Sequence, residues 1–182
     1  MASHHQKSSY ASSNAESVVK VGLVAALYIV LTLLVAPVAF GPVQFRISEG
    51  LNYLGLYNRR YIYAVTAGVF LVNYFQFGPV DMVVGSAATF VFLWFGRWTA
   101  DWLVKLLQKS GYLKVDPMLI KYCVMGISFV IQMLPIAAML LFVGAEAAFW
   151  PAYISLAISE AVAMLLTAFV MYPLSKRVDF DA

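Results

Sequence analysis

The chain has 182 residues, of which 63% are apolar, 15% aromatic and only 12% charged, with mean hydropathy +0.82. Soluble domains carry about 25% charge, so this composition excludes a water-soluble globular domain and predicts an all-α membrane protein. There is room for one bundle of about five to seven spanning helices and for no second domain. The net charge of +3 and the pI near 9.0 record topology rather than nucleic-acid affinity, because Lys and Arg accumulate on the cytoplasmic side of membrane proteins.

Residues 1–17 are polar, rich in Ser, Asn and Ala, and read as a disordered tail. His4 and His5 lie there without a nearby carboxylate or Cys, so no metal site is expected. The first helix is predicted over about 18–37, stopped by Pro37. A polar island follows, Phe40 to Glu49, in which Gly41-Pro42 bends the chain and Gln44, Arg46, Ser48 and Glu49 cluster. Polar groups beside a bilayer core are costly unless paired or used. The second helix, about 47–57, reaches only about 16 Å as an α-helix, short of the roughly 30 Å hydrocarbon core. The third is predicted over about 60–76 and ends in Asn73-Tyr74-Phe75-Gln76. Gly78-Pro79 turns the chain, and Asp81 is expected to cap a fourth helix at about 82–106. The fifth covers about 118–143 and contains Gln132, expected to bond to another helix, and Pro135. The sixth covers about 150–173 and carries Glu160 near the bilayer midplane. Residues 176–182 form a second tail. The lone Cys123 excludes a disulfide framework and reads as a small buried hydrophobe.

Charge placement tests the count of helices. With six spans and both termini cytoplasmic, only Arg46 of the 12 basic residues lies outside. If 47–57 did not cross, Arg59, Arg60 and the lysines of the 105–117 connection would all move outside. The short segment is therefore expected to cross, with neighbouring loops dipping in to meet it. Irregular backbone at that depth is tolerated where it lines a cavity, so a cavity is expected on the outer side. Asn73, Tyr74, Gln76 and Asp81 collect at the same level.

Several chemistries are missing. There is no G-x-x-x-x-G-K-[ST], no H-E-x-x-H and no G-x-S-x-G. No His lies in the membrane region, so a His-assisted nucleophile is excluded and no catalytic or metal-binding residue is assigned. No inverted repeat of the kind found in many self-sufficient carriers is evident. A polar outer cavity without an energy module suggests a binding subunit that takes its energy from partners.

The segments F-G-P-V-Q-F-R-I-S-E-G-L at 40–51, N-R-R-Y-I at 58–62, G-V-F-L-V-N at 68–73 and G-P-V-D-M-V-V-G-S-A-A-T at 78–89 resemble the queuosine-precursor transporter (QueT) family. The resemblance covers nearly all of 18–175. It implies a substrate-binding S component of an energy-coupling factor (ECF) transporter in the bacterial cell membrane. Such a subunit has six helices, cytoplasmic termini and a pocket near the outer surface closed by the loop between helices 1 and 2. The implied partners are a transmembrane coupling protein (T component) and two ATPase subunits (A components) that bind the ATP and Mg. No cofactor is expected in this chain. In that class a small-residue A-x-x-x-A face of helix 1 meets the coupling protein. Here Gly22, Ala25 and Ala26 stand in its place.

The implied substrate is a planar heterocycle such as a 7-deazaguanine. Its ring N–H and exocyclic amine form a donor edge for a carboxylate, Glu49 or Asp81, with Glu160 a further candidate. Its carbonyl suits Arg46, Gln44 or Asn73, and Phe45, Tyr53 or Tyr74 could stack on the ring. Arg46 and Glu49, three apart, could instead pair with each other. Hydroxymethylpyrimidine is an alternative substrate. A proton-coupled carrier using Glu160, or an intramembrane enzyme using Glu160 and Asp81, is an alternative of another class.

Overall fold

The computed structural model describes residues 2–35 and 46–181, with side chains from residue 15 onward. Among the described residues six helices follow one another: α1 (Ala2–Leu34), α2 (Ile47–Leu56), α3 (Arg60–Gln76), α4 (Pro79–Lys109), α5 (Pro117–Phe142) and α6 (Phe149–Ser175). No strand occurs among the described residues. Among the described residues four segments are long and apolar enough to cross a membrane: Ala15–Leu34, α4, α5 and α6. With 10 and 17 residues, α2 and α3 are shorter.

α1 begins at Ala2, within the residues read from the sequence as a tail. Residues 2–21 contain neither Gly nor Pro, so nothing in the chain halts a helix propagating out of the apolar span. Glu16 and Lys20, one turn apart, pair at 2.6 Å, an arrangement that supports exposed helix.

The main departure is α2, which is wound as a 310 helix rather than an α-helix. At about 2.0 Å per residue it reaches about 20 Å, against about 15 Å for ten α-helical residues. The tighter winding thus recovers part of the length that this segment lacks. Every residue from Ser48 to Leu56 is buried, and α2 touches α1, α3, α4, α5 and α6. It is the central strut of the bundle. Two of its neighbours approach closely because glycines let them. A Cβ on Gly50 would lie 2.7 Å from Thr167 Cβ of α6, and one on Gly68 of α3 would lie 2.8 Å from Tyr28 Cβ of α1. Ala64 is also fully buried, so the Ala64–Gly68 pair serves internal packing.

Around the strut, Tyr28, Tyr53, Ile62, Val65, Leu93, Met125, Phe129 and Met164 form the main core. Tyr53 stacks on Tyr122 with ring centroids 4.1 Å apart and donates its hydroxyl to the Met164 carbonyl at 3.0 Å. The Arg97 guanidinium of α4 donates to the Gly55 carbonyl at 2.6 Å, placing a cation at the negative end of α2. Cys123 faces out of the bundle, contrary to the buried position expected of it. Its neighbour Tyr122 takes the inward direction, and successive helical residues point about 100° apart.

One end of the bundle gathers the basic residues. There Arg60 donates to the Ser17 hydroxyl at 3.3 Å and Asn58 to the Asp181 carbonyl at 3.4 Å. Lys121 pairs with Asp101 at 2.5 Å and Lys176 with Asp116 at 2.6 Å. Asp116 also caps α5, accepting from the Met118 amide at 2.8 Å, with Pro117 in the first turn. Ser17 of α1 and the C-terminal Asp181 thus lie at this end. Arg46, Asn73 and Asp81 lie at the opposite end.

Candidate functional site

The site begins with α2. In a 310 helix residues three apart eclipse one another, so Glu49 and Asn52 share an edge. Asn52 Nδ2 donates to Glu49 Oε2 at 2.6 Å. On the α1 side, Tyr28 Oη donates to Glu49 Oε1 at 2.8 Å. One turn along α1, the Thr32 hydroxyl meets the Ser48 hydroxyl at 2.6 Å. The buried carboxylate of Glu49 is thereby held on both oxygens by neutral donors, the condition under which burial of a polar group is tolerated.

Arg46 does not pair with Glu49: no ion pair joins them among the described residues. Arg46 precedes α2 with extended backbone, φ −124° and ψ 114°, so the helical three-residue spacing does not apply to it. Its guanidinium lies over the Phe77 ring, 5.6 Å from the centroid, a cation–π contact. Its buried Nε has no hydrogen-bond partner. The charge sits within the field of Glu49, Asp81 and Glu160.

Gly78 takes φ +93° and Pro79 opens α4. The helix therefore starts three residues earlier than expected, and Asp81 is not its cap. Asp81 falls in the first turn with its carboxylate free to face inward. Asn73, at the end of α3, donates Nδ2 to the Asp81 carbonyl at 3.1 Å. It fits against α4 because position 85 is Gly, where a Cβ would overlap the Asn73 amide. From α5, Gln132 Nε2 donates to the Thr89 hydroxyl of α4 at 3.1 Å, the interhelical bond expected of it.

These residues enclose a cavity of about 40 Å³, lined by Tyr28, Arg46, Glu49, Val69, Asn73, Asp81, Gly85, Thr89, Gln132, Met133, Ile136, Leu156 and Glu160. It has room for roughly three waters. Of the residues proposed from the sequence, Arg46, Glu49, Asn73, Asp81 and Glu160 meet here. Gln44 and Phe45 lie outside the described residues. Tyr53 and Tyr74 are elsewhere. An α-helix would set Tyr53 one turn above Glu49, but 310 winding turns it about 120° away, into the core against Tyr122. Tyr74 is 56% exposed while Asn73 is 2% exposed, because adjacent residues of α3 point about 100° apart. Of Gly22, Ala25 and Ala26, Gly22 and Ala26 are exposed and Ala25 is half-buried, so they do not contribute to the cavity.

The unmet valences are specific. Asn73 Oδ1, Gln132 Oε1, Glu160 Oε1 and Arg46 Nε are buried without partners. Each amide donates one N–H to protein, and its carbonyl oxygen has no partner.

The family model described as "QueT transporter" matches residues 18–176. A curated relative, the queuosine precursor transporter QueT of Lactococcus lactis subsp. cremoris (strain MG1363), is 37% identical over 171 residues, covering 93% of this chain and 98% of the relative. The chain belongs to the QueT transporter family. The QueT match contains every residue that lines the cavity, from Tyr28 to Glu160. Membership, together with four helices able to cross a bilayer, makes this a membrane-embedded transport protein. No solved structure matches the chain.

Sequence reasoning missed Tyr28, Asn52, Thr89 and Gly85. A Tyr in an apolar span looks like any core or lipid-facing aromatic, so Tyr28 gave no signal. Gly85 did give one: it stands four residues after Asp81, on the same helical face.

Proposed function

We propose that this chain is the substrate-binding S component of an ECF-type importer. It captures a queuosine precursor, a 7-deazaguanine, in the cavity between α1, α2, α3, α4, α5 and α6. The observation that carries this is the convergence of three carboxylates and one guanidinium with unmet buried hydrogen-bonding atoms. Unsatisfied buried polar atoms are costly, and a polar ligand is what relieves them.

Asp81 and Glu49 read the donor edge of the base, its ring N–H and exocyclic amine, and Arg46 reads its carbonyl. The bicyclic ring is larger than the present cavity, so capture widens it. The membrane orientation follows from the basic end, which lies in the cytoplasm by the positive-inside bias. The cavity then opens outward, all six helices cross, and both termini are cytoplasmic. The chain binds but performs no chemistry. A transmembrane coupling protein docks on the face of α1 that bears Gly22, Ala25 and Ala26. Two ATPase subunits supply ATP and Mg and drive release inward.

Equilibrium titration of the purified chain with a 7-deazaguanine tests the carboxylate reading. Glu49→Gln and Asp81→Asn each weaken binding at least tenfold, about 1.4 kcal/mol. Unchanged affinity in both variants removes the carboxylates from recognition.

A further inference from the structure

Far from the cavity, at the basic end, a cation lacks a fixed anion. Arg59, between α2 and α3, is exposed, and its guanidinium lies over the Trp94 ring of α4, 5.4 Å from the centroid. No ion pair engages it among the described residues. Its basic neighbours are spent on protein. Arg60 donates to the Ser17 hydroxyl and Arg97 to the Gly55 carbonyl, while Lys121 and Lys176 pair with Asp101 and Asp116. The Trp94 ring fixes where the Arg59 charge sits but offers it no acceptor oxygen. Counted along α3 from Gln76 or along α4 from Pro79, the Arg59–Trp94 pair is about 22–26 Å from the cavity end. That is near the far margin of a hydrocarbon core about 30 Å thick, where lipid phosphates begin. A guanidinium at that depth is costly without a partner.

The surroundings are aromatic and open. Tyr63, one turn along α3, is exposed and meets Phe90 of α4 with ring centroids 5.9 Å apart. Trp98, one turn beyond Trp94, is exposed as well. Residues four apart share a helix face, so a phenol and an indole flank the guanidinium, the side-chain types that settle at headgroup level. Deeper on the same face of α3, Phe70 is exposed. α1 packs on α3 but not on α4, which leaves the groove between α3 and α4 clear of it. We infer that this groove holds an anionic phospholipid, its phosphate on Arg59 and its acyl chains along Tyr63 and Phe70. Arg grips a phosphate through two parallel N–H bonds, and a guanidinium already positioned by a ring loses less freedom on doing so. A zwitterionic headgroup brings an ammonium that competes with Arg59 for the same phosphate, whereas an anionic one brings none.

The test is native mass spectrometry of the purified full chain in detergent, titrated with phosphatidylglycerol or with phosphatidylcholine of the same acyl chains. The anionic lipid is expected to bind at least fivefold tighter. Arg59→Gln is expected to abolish that preference. Trp94→Leu, which keeps the charge but removes the ring beneath it, is expected to lower phosphatidylglycerol binding at least threefold. Lys109→Gln, an exposed cation at the end of α4 and outside the groove, is expected to leave it unchanged. Excess glycerol 3-phosphate, a phosphate without tails, is expected not to displace the lipid. Equal binding of the two lipids by the parent overturns the inference. So does phosphatidylglycerol binding that survives intact in both groove variants. A loss in Lys109→Gln as large as that in Arg59→Gln overturns it too, since it shows diffuse attraction to the basic end. Displacement by glycerol 3-phosphate removes the groove from recognition and leaves a simple phosphate contact, which likewise overturns it.

Discussion

Glu49 and Asp116 show two ways in which this protein holds a carboxylate. Glu49 is buried and accepts from the neutral donors Tyr28 and Asn52, so it stays available to a ligand without being neutralised by a fixed cation. Asp116 lies at the basic end and is fixed by Lys176, by the Met118 amide and by Tyr172. Those partners, the hydrogen bond from Lys176 foremost, hold its pKa at about 2, below the ordinary 3.8. A carboxylate depressed in the folded state stabilises the fold in full above its unfolded pKa and loses that contribution as pH falls through its folded one. The tie between α5 and the end of α6 is therefore complete above about pH 4 and lost toward pH 2. Asp116→Asn should melt below the parent at neutral pH, and the gap should close as pH approaches 2; a gap that persists there shows that the charge of Asp116 is not what holds the tie. The sequence made Arg46, Glu49, Asn73, Asp81 and Glu160 visible because each is polar where its surroundings are apolar. Hydrogen-bond direction was not visible. That Asn73 gives an N–H to the Asp81 carbonyl depends on the turn at Gly78.

At the scale of the elements, α2 explains most of what the sequence left open. Its boundaries were legible from the flanking polar residues, and its shortness was recognised as a problem. The solution, ten residues of 310 helix, follows from tertiary packing rather than from propensity, since such runs rarely exceed 3–4 residues. That winding puts Asn52 beside Glu49 and sends Tyr53 into the core, which is why the expected stacking role of Tyr53 does not hold. Two glycines separate packing from exposure. Gly50→Ala pushes a methyl against Thr167 Cβ, only 2.7 Å from the ideal position, and should destabilise the chain by about 1–3 kcal/mol. Gly22→Ala meets nothing within 4 Å and should be neutral or stabilising by up to about 1 kcal/mol. Thermal melting of both variants in the same detergent checks the pair. A harmless Gly50→Ala contradicts the close packing of α2 on α6.

For the whole molecule, composition alone fixed the membrane class, and the distribution of Lys and Arg separated a basic end from a cavity end before any contact was known. The structure places Arg46, Glu49, Asn73 and Asp81 around one cavity because α2, α3 and α4 each begin or end at that level. The cavity volume of about 40 Å³ could not be read from the sequence, since it depends on how far glycines 50, 68 and 85 let the helices approach. The central claim is that the isolated chain captures a 7-deazaguanine without help from an ATPase. Native mass spectrometry of the purified full chain, released from detergent after incubation with 7-aminomethyl-7-deazaguanine, measures this directly. The account predicts one ligand per chain in the absence of ATP and of any partner, with the adduct diminished in Glu49→Gln and Asp81→Asn. A chain that carries no adduct, or an adduct indifferent to both substitutions, contradicts it.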